Sequence, residues 1–296
     1  MTWHYTIPNI YTEKNFFYCI ETKKKDFNKL VLQKSFHYKI GKQIKKNGGY
    51  RTIYKPDNEL KKTLQLMYKE YLCNINLPFF VHCGVKNRSI TTSLKGHNKY
   101  DYHLSLDIKS FFDEITKETL IKTLEQVKVP RILITHITDL CVEDNRLPQG
   151  FPTSSYLSSL VLCTSLEQNI IEMEKDKIKF SAYADDLLIS ADSEKQLQKA
   201  EVTIKEKLET IGLSLNDKRK LWHKTEKEMA LGLNIHPFPS VRREKIKELQ
   251  KTLYDKNNLS EKELKTIKGK ISFYSSTNKN KLIQKTKVAV LKALKK

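Results

Sequence analysis

Cysteine is scarce in this 296-residue chain, and acidic side chains are far outnumbered by basic ones. The five cysteines, Cys19, Cys73, Cys83, Cys141 and Cys163, contain no CxxC pair. Their odd number and irregular spacing exclude both a zinc ribbon and a disulfide framework. An apolar signal core is missing, since His4, Glu13 and many polar residues occupy its place. Long hydrophobic runs are missing too. The longest uncharged stretch, Leu147 to Leu166, is broken by Pro148, Gln149, Gly150 and Pro152, so it does not read as a membrane span. There is no internal repeat and no low-complexity linker. These absences predict a cytoplasmic protein with no membrane partner.

What is present is positive charge and enough apolar mass to fold. Lys and Arg number 54 against 34 Asp and Glu, a net charge of +20 with a pI near 9.5. An excess of that size predicts a polyanionic partner, above all nucleic acid. A hydrophobic content of 39% is too high for a disordered chain and sufficient for a core without staples. From Val241 onward there are 17 Lys or Arg against 5 Asp or Glu, so the excess is concentrated at one end.

Apolar spacing sets out the elements. Phe16, Phe17, Ile20, Phe27, Leu30, Val31 and Ile40 predict a helical N-terminal region over the first forty residues. Asn47-Gly48-Gly49 predicts a tight hairpin between strands carrying Ile44 and Ile53. Helices are predicted from Glu59 to about Asn74, from Lys117 to Val127, after Pro130, through the Ser-rich apolar stretch after Gly150, and from Glu194 to Ile211. Tyr102 to Ile108 alternates as a strand, and Lys179 to Ser190 reads as strand, Ala-Asp-Asp turn, strand. Ile246, Leu249 and Leu253, then Leu264, Ile267 and Ile271, predict short helices with basic outer faces. The plan is α+β.

Tyr183-Ala184-Asp185-Asp186 sits at the predicted hairpin tip. Adjacent carboxylates repel each other, yet Asp is also a common turn residue. A second carboxylate, Asp107, closes the other apolar strand and changes the reading. Two strands that each deliver an Asp can hold a pair of Mg²⁺ ions together with substrate phosphates. That arrangement suits activation of a 3′-hydroxyl and stabilisation of a leaving pyrophosphate.

The segments Leu106-Asp107-Ile-Lys-Ser-Phe-Phe112, Leu147-Pro-Gln-Gly-Phe-Pro-Thr-Ser154, Tyr183-Ala-Asp-Asp186 and Gly212-Leu-Ser-Leu-Asn-Asp-Lys218 resemble successive palm motifs of reverse transcriptases. Tyr50-Arg-Thr-Ile-Tyr-Lys-Pro56 and Cys83-Gly-Val-Lys-Asn-Arg-Ser-Ile90 resemble the fingers motifs. The order is preserved from about Tyr38 to Ile235, and within the family the chain is most similar to bacterial retron-type enzymes. It differs from the usual retron pattern at Ser93-Leu-Lys-Gly-His97, Ala230-Leu-Gly232 and Ser155.

The resemblance implies a right-hand polymerase, with an N-terminal helical region at 1–37, fingers and palm at 38–236 and a small basic helical thumb at 237–296. It implies RNA-directed DNA synthesis from dNTPs, with two Mg²⁺ ions and an RNA template held as an RNA/DNA hybrid. A cognate non-coding RNA and a phage-defence effector protein are the partners it suggests. By the same resemblance Asp107, Asp185 and Asp186 hold metal, joined by the Ile108 carbonyl, and Lys218 neutralises the leaving pyrophosphate. Arg51 and Arg88 contact the triphosphate, Gln149 lines the nucleotide pocket, and Phe112 lies beneath the incoming sugar. For Arg51, Arg88 and Lys218 a surface charge is the alternative, and for Gln149 an ordinary turn residue. Phe111, next to Phe112 in what reads as an extended segment, should face the core, with both rings in the core as the alternative. His97 reads as structural, Tyr102 and Trp222 as packing residues and not base-stacking platforms, and Ala230-Leu-Gly-Leu233 falls at the place of the primer grip. Rival functions are a template-independent or protein-primed polymerase on the same core, or an RNA-binding subunit that restrains a toxic partner.

Overall fold

The structure, a computed structural model, describes residues 3–44, 48–254 and 260–277. Two short helices open it, α1 (Glu13–Cys19) and α2 (Lys24–Leu32). Thr12 caps α1 by accepting from the Asn15 N–H at 3.3 Å. Phe16, Phe17, Ile20, Phe27 and Leu30 are buried, as their spacing predicts. Ile40 departs from that expectation. It lies in strand β1 (Tyr38–Ile44) and is 60% exposed. Pairing with β2 (Tyr50–Pro56) decides the matter, because every residue of β1 has a partner there, Ile40 opposite Tyr54 and Ile44 opposite Tyr50. Gly48, at φ +85°, lies in the connection, while Asn47 lies outside the described residues.

Asp57 starts α3 (Asn58–Leu66) by accepting from the Leu60 N–H at 3.0 Å. The expected helix to Asn74 is present with a changing pitch, widening to a π turn over Met67–Tyr71 and tightening over Leu72–Asn74. Leu60, Leu64, Met67 and Tyr71 stay buried throughout. A short α4 (Ile90–Ser93) precedes β3 (Tyr102–Asp107), and then come α5 (Phe111–Glu114), α6 (Lys117–Gln126) and α7 (Arg131–Cys141). Lys34 is nearly buried at the carbonyl end of α7, where it donates to Asp139 O at 2.6 Å and to Val142 O. A cation placed there meets the negative end of the helix.

The Ser-rich stretch forms α8 (Ser154–Lys175), followed by β4 (Lys179–Tyr183), β5 (Asp186–Ala191), α9 (Glu194–Glu209), β6 (Lys220–His223), α10 (Arg243–Tyr254) and α11 (Glu261–Thr277). The sequence reading had no counterpart for β6, whose four residues carry too little alternation to stand out. The four-stranded sheet runs β4-β5-β3-β6, antiparallel throughout. Ala182 N–H donates to Phe80 O and Ala182 O accepts from His82 N–H, which covers the outer edge of β4. The α+β expectation is met by helices packed on antiparallel sheet.

The sheet is covered on both faces. Leu104, Leu106, Leu187, Ile189, Phe180 and Ala182 join the main core with residues of α8 and α9. On α9 these are Leu197, Ala200, Ile204 and Leu208, and each buried Leu or Ile there contributes about 1.5–3 kcal/mol. On the opposite face a second core joins Leu94, Leu188 and Trp222 to Ala230, Leu233, Ile235, Val241 and Ile246. That second core seats α10, and a separate cluster of Leu249, Ile267 and Ile271 packs α11 against α10. Among the described residues no helix is long and apolar enough to cross a membrane.

Candidate active site

Tyr183 pairs with Asp186 across the β4–β5 hairpin, which leaves Ala184 and Asp185 as a two-residue tip. Such a tip needs a positive φ at its first position, and Ala184 supplies it at +55°. An L-residue held there costs about 1 kcal/mol. In β3, Asp107 lies directly opposite Asp186. Two backbone bonds fix this crossing, Ile108 N–H to Asp185 O at 2.9 Å and Asn216 N–H to Asp107 O at 2.7 Å. The Asn216 side-chain amide also donates to Asp107 Oδ2 at 2.9 Å, which orients that carboxylate. Sequence reasoning missed Asn216 as a member of the site, although it lies inside the Gly212–Lys218 motif.

Negative charge dominates this corner. Crowding by surrounding atoms, and then the Asp107 charge, raise the Asp185 carboxyl above its usual range. Asp186 faces solvent, yet desolvation in the cleft, Asp185 and Asp107 together push it up to about 6. For acids a raised folded-state value means stability is lost as pH climbs from the unfolded value, about 4, toward 6. The ionised cluster therefore opposes folding, and none of the three carboxylates has an ion pair among the described residues. Bound cation would relieve that repulsion. No group of three or more His, Cys, Asp or Glu among the described residues could hold an ion by itself. The donor set thus suits a hard divalent ion that shares its shell with substrate phosphates, and not a closed protein cage.

The other expected site residues divide. Arg51 is exposed on β2, and its guanidinium lies close enough to pull the Asp185 carboxyl down against the larger upward push. Gln149 is half-buried in the turn before α8, and its carbonyl accepts from Tyr54 N–H at 2.8 Å. Gly150 makes this approach possible. Its φ is +115°, and a Cβ there would lie 2.3 Å from Tyr54 O. Phe111 is buried and Phe112 half-buried beside it, ring centroids 5.5 Å apart. Their segment is not extended, as expected, but a helical turn entered through Ser110 at φ +45°. Lys218 is exposed in the loop before β6.

Arg88 is engaged within the fold. Its guanidinium donates to the carbonyls of Leu77 (2.7 Å), Val81 (2.6 Å) and Pro78, so three of its five N–H groups hold the 77–81 loop. Arg242 is likewise engaged, with Lys227 O and Asn234 Oδ1. His97 is fully buried and hydrogen-bonded, and Trp222 is packed in the second core, as their structural readings expected.

An antiparallel sheet that brings two carboxylate-bearing strands together beside a basic hairpin suits nucleotidyl transfer. Residues 43–235 match the family described as reverse transcriptase (RNA-dependent DNA polymerase), and the chain belongs to that family. Its relatives are of the retron type. The chain is 27% identical to Retron Ec86 reverse transcriptase of Escherichia coli over 254 residues, 84% of this chain and 79% of that protein. It is 29% identical to Retron Ec73 reverse transcriptase of Escherichia coli over 163 residues, covering about half of each. With Retron Mx162 reverse transcriptase of Myxococcus xanthus it shares 24% over 283 residues, 82% of this chain and 58% of the relative.

Proposed function

We propose that this chain copies a cognate non-coding RNA into DNA by two-metal phosphoryl transfer, as a cytoplasmic component of anti-phage defence with an effector protein as partner. The reading divides the chain into an N-terminal helical region (1–37), fingers and palm (38–236) and a basic thumb (237–296). The observation that carries it is the meeting of Asp107, Asp185 and Asp186 at the ends of β3 and β5, with no ion pair among the described residues and only the attraction of Arg51 on Asp185 to offset their repulsion.

Asp107 and Asp185 are the principal ligands in this reading, with Asp186 adjacent and the Ile108 carbonyl joining them. Two Mg²⁺ ions, when bound, would supply activation of the primer 3′-hydroxyl and charge neutralisation on the leaving pyrophosphate. Asn216 holds the Asp107 carboxylate in register through its amide. Arg51 receives the triphosphate in bidentate fashion, which its position near Asp185 supports. Gln149 lines the nucleotide pocket, Phe112 closes the floor under the sugar, and Lys218 meets the departing pyrophosphate. The net charge of +20 grips the phosphate backbone of the RNA/DNA hybrid.

Sequencing nucleic acid that co-purifies with the protein, with and without RNase, tests the template assignment. One enriched structured RNA with a DNA copy of part of it is the expected result. Random cellular RNA with no DNA counts against a dedicated template.

A further inference from the structure

A line of buried polar side chains crosses the sheet on the face that also carries Asp107 and Asp186. His97 is wholly buried, with Nε2 3.0 Å from Ser181 Oγ and Nδ1 2.7 Å from Ser190 Oγ. Ser190 Oγ also lies 2.7 Å from His103 Nδ1, and His103 Nε2 lies 2.7 Å from His236 Nε2. The line thus starts in β4, passes through β5 and β3, and ends in the segment that follows β6.

We infer that these five side chains form one directed hydrogen-bond chain, and that His236 at its outer end is a positioning residue registering segment 230–241 over the catalytic carboxylates. Proton counting sets the direction. A hydroxyl carries a single proton, so Ser190 donates to one imidazole and accepts from the other. Neutral rings carry one N–H each, and burial holds His97 well below its usual range and His103 near about 4. Only two arrangements remain.

In the first, Ser181 donates to His97 Nε2, His97 Nδ1–H donates to Ser190, Ser190 donates to His103 Nδ1, and His103 Nε2–H donates to His236 Nε2. The second reverses every bond. Reversal would leave the Ser181 hydroxyl proton with no acceptor among the described residues, in a side chain only 2% exposed. An orphaned buried donor is costly, so the first arrangement is the one the fold selects. His236 therefore accepts at Nε2 and carries its own proton on Nδ1.

The consequence for catalysis lies in the placement. His103, Ser105 and Asp107 alternate along one face of β3, and Ser190, Leu188 and Asp186 along the same face of β5. Segment 230–241 covers that face through Ala230, Leu233, Ile235 and Val241. The His103–His236 bond and the Asn98 amide, which donates to Pro237 O at 2.8 Å, are polar pins of that cover. The inference rests on the proposed reading only in taking this segment as the primer-side wall of the site.

The test uses the full chain in two measurements. Imidazole ¹⁵N–¹H correlation spectra, assigned with single His→Gln variants, should show His97 as the Nδ1–H, His103 as the Nε2–H and His236 as the Nδ1–H tautomer. The opposite set would overturn the chain whatever the enzyme does. On an RNA template with a DNA primer, His236→Ala should raise KM for template–primer about tenfold and change kcat less than about twofold. His236→Gln, whose amide oxygen can accept in place of Nε2, should restore KM, and His236→Lys, which can only donate, should not. If the tautomers are as assigned but His236→Ala leaves KM unchanged, the positioning role is wrong while the polymerase reading stands.

Discussion

Phe111 and Phe112 are neighbours with different burial, and the turn that holds them explains why. Ser110 at φ +45° tips the chain into a short helix, so one ring enters the core and the other stays at its margin. In the proposed pocket Phe112 would collide with a 2′-hydroxyl, excluding ribonucleotides by bulk. Phe112→Ala should then admit rNTPs far better than wild type while dNTP use falls only modestly, as competitive incorporation on one template would show. Phe111→Ala should instead lower stability by about 3–5 kcal/mol, read from denaturant unfolding. Unchanged sugar selectivity in Phe112→Ala would remove Phe112 from the pocket. The in-and-out placement of these rings was legible in the sequence, but the reason was not. An extended segment would have produced the same alternation, and nothing in Lys109-Ser110 announces a left-handed turn. The anchoring of Arg88 was not legible for a related cause: the loop carbonyls it binds are brought to it only by the fold.

Hairpins are the elements that aim the site. At the tip of β4–β5 the left-handed Ala184 sets two effects against each other. Glycine there would relieve about 1 kcal/mol of strain but add about 0.5–1 kcal/mol of unfolded-chain entropy. Ala184→Gly should therefore shift stability by less than about 1 kcal/mol, whereas Ala184→Val, β-branched at positive φ, should destabilise clearly in a thermal melt. Equal melting of the two variants would contradict the turn assigned here. At the β1–β2 hairpin the critical contact is Gly150 against Tyr54 O. Gly150→Ala should cost about 2–3 kcal/mol and displace β2, with Arg51, from the carboxylates. Raised KM for dNTP in that variant is the expected reading, and an unchanged KM would detach the hairpin from the nucleotide site.

Strand–turn–strand at 179–191 was plain from alternation and from the Asp-Asp turn, and Phe180 and Ala182 do pair with Ile189 and Leu187. By contrast Ile40 had helical spacing with the residues before it, and only pairing with Tyr54 decided otherwise. Local pattern yields to a partner strand that the pattern does not contain.

Across the whole molecule, one sheet carries two jobs on two faces. The apolar face anchors it to α8 and α9, and the other face carries the carboxylates, the histidine chain and the seat of the basic C-terminal helices. The sequence exposed the carboxylates because charged residues closing apolar strands are conspicuous. It hid the second core, whose members are scattered from Leu94 to Ile246 and meet only through the fold. It also hid Asn216, since an amide in a polar loop carries no signal until its partner, Asp107, is brought to 2.9 Å. Global charge was legible as a nucleic-acid partner, while the engagement of Arg88 and Arg242 with backbone carbonyls of the fold was not.

Phosphoryl transfer at Asp107 and Asp185 is the claim on which the rest depends. Its most direct test is single-nucleotide dNTP incorporation in Mg²⁺ on an RNA template with a DNA primer, comparing wild type with Asp107→Asn and Asp185→Asn, alongside hybrid affinity. Loss of one ligand should raise the barrier by ~5 kcal/mol, slowing incorporation by roughly three to four orders of magnitude, with folding and RNA/DNA affinity nearly unchanged. Near-normal incorporation by either variant would contradict the assignment of these carboxylates to the chemistry.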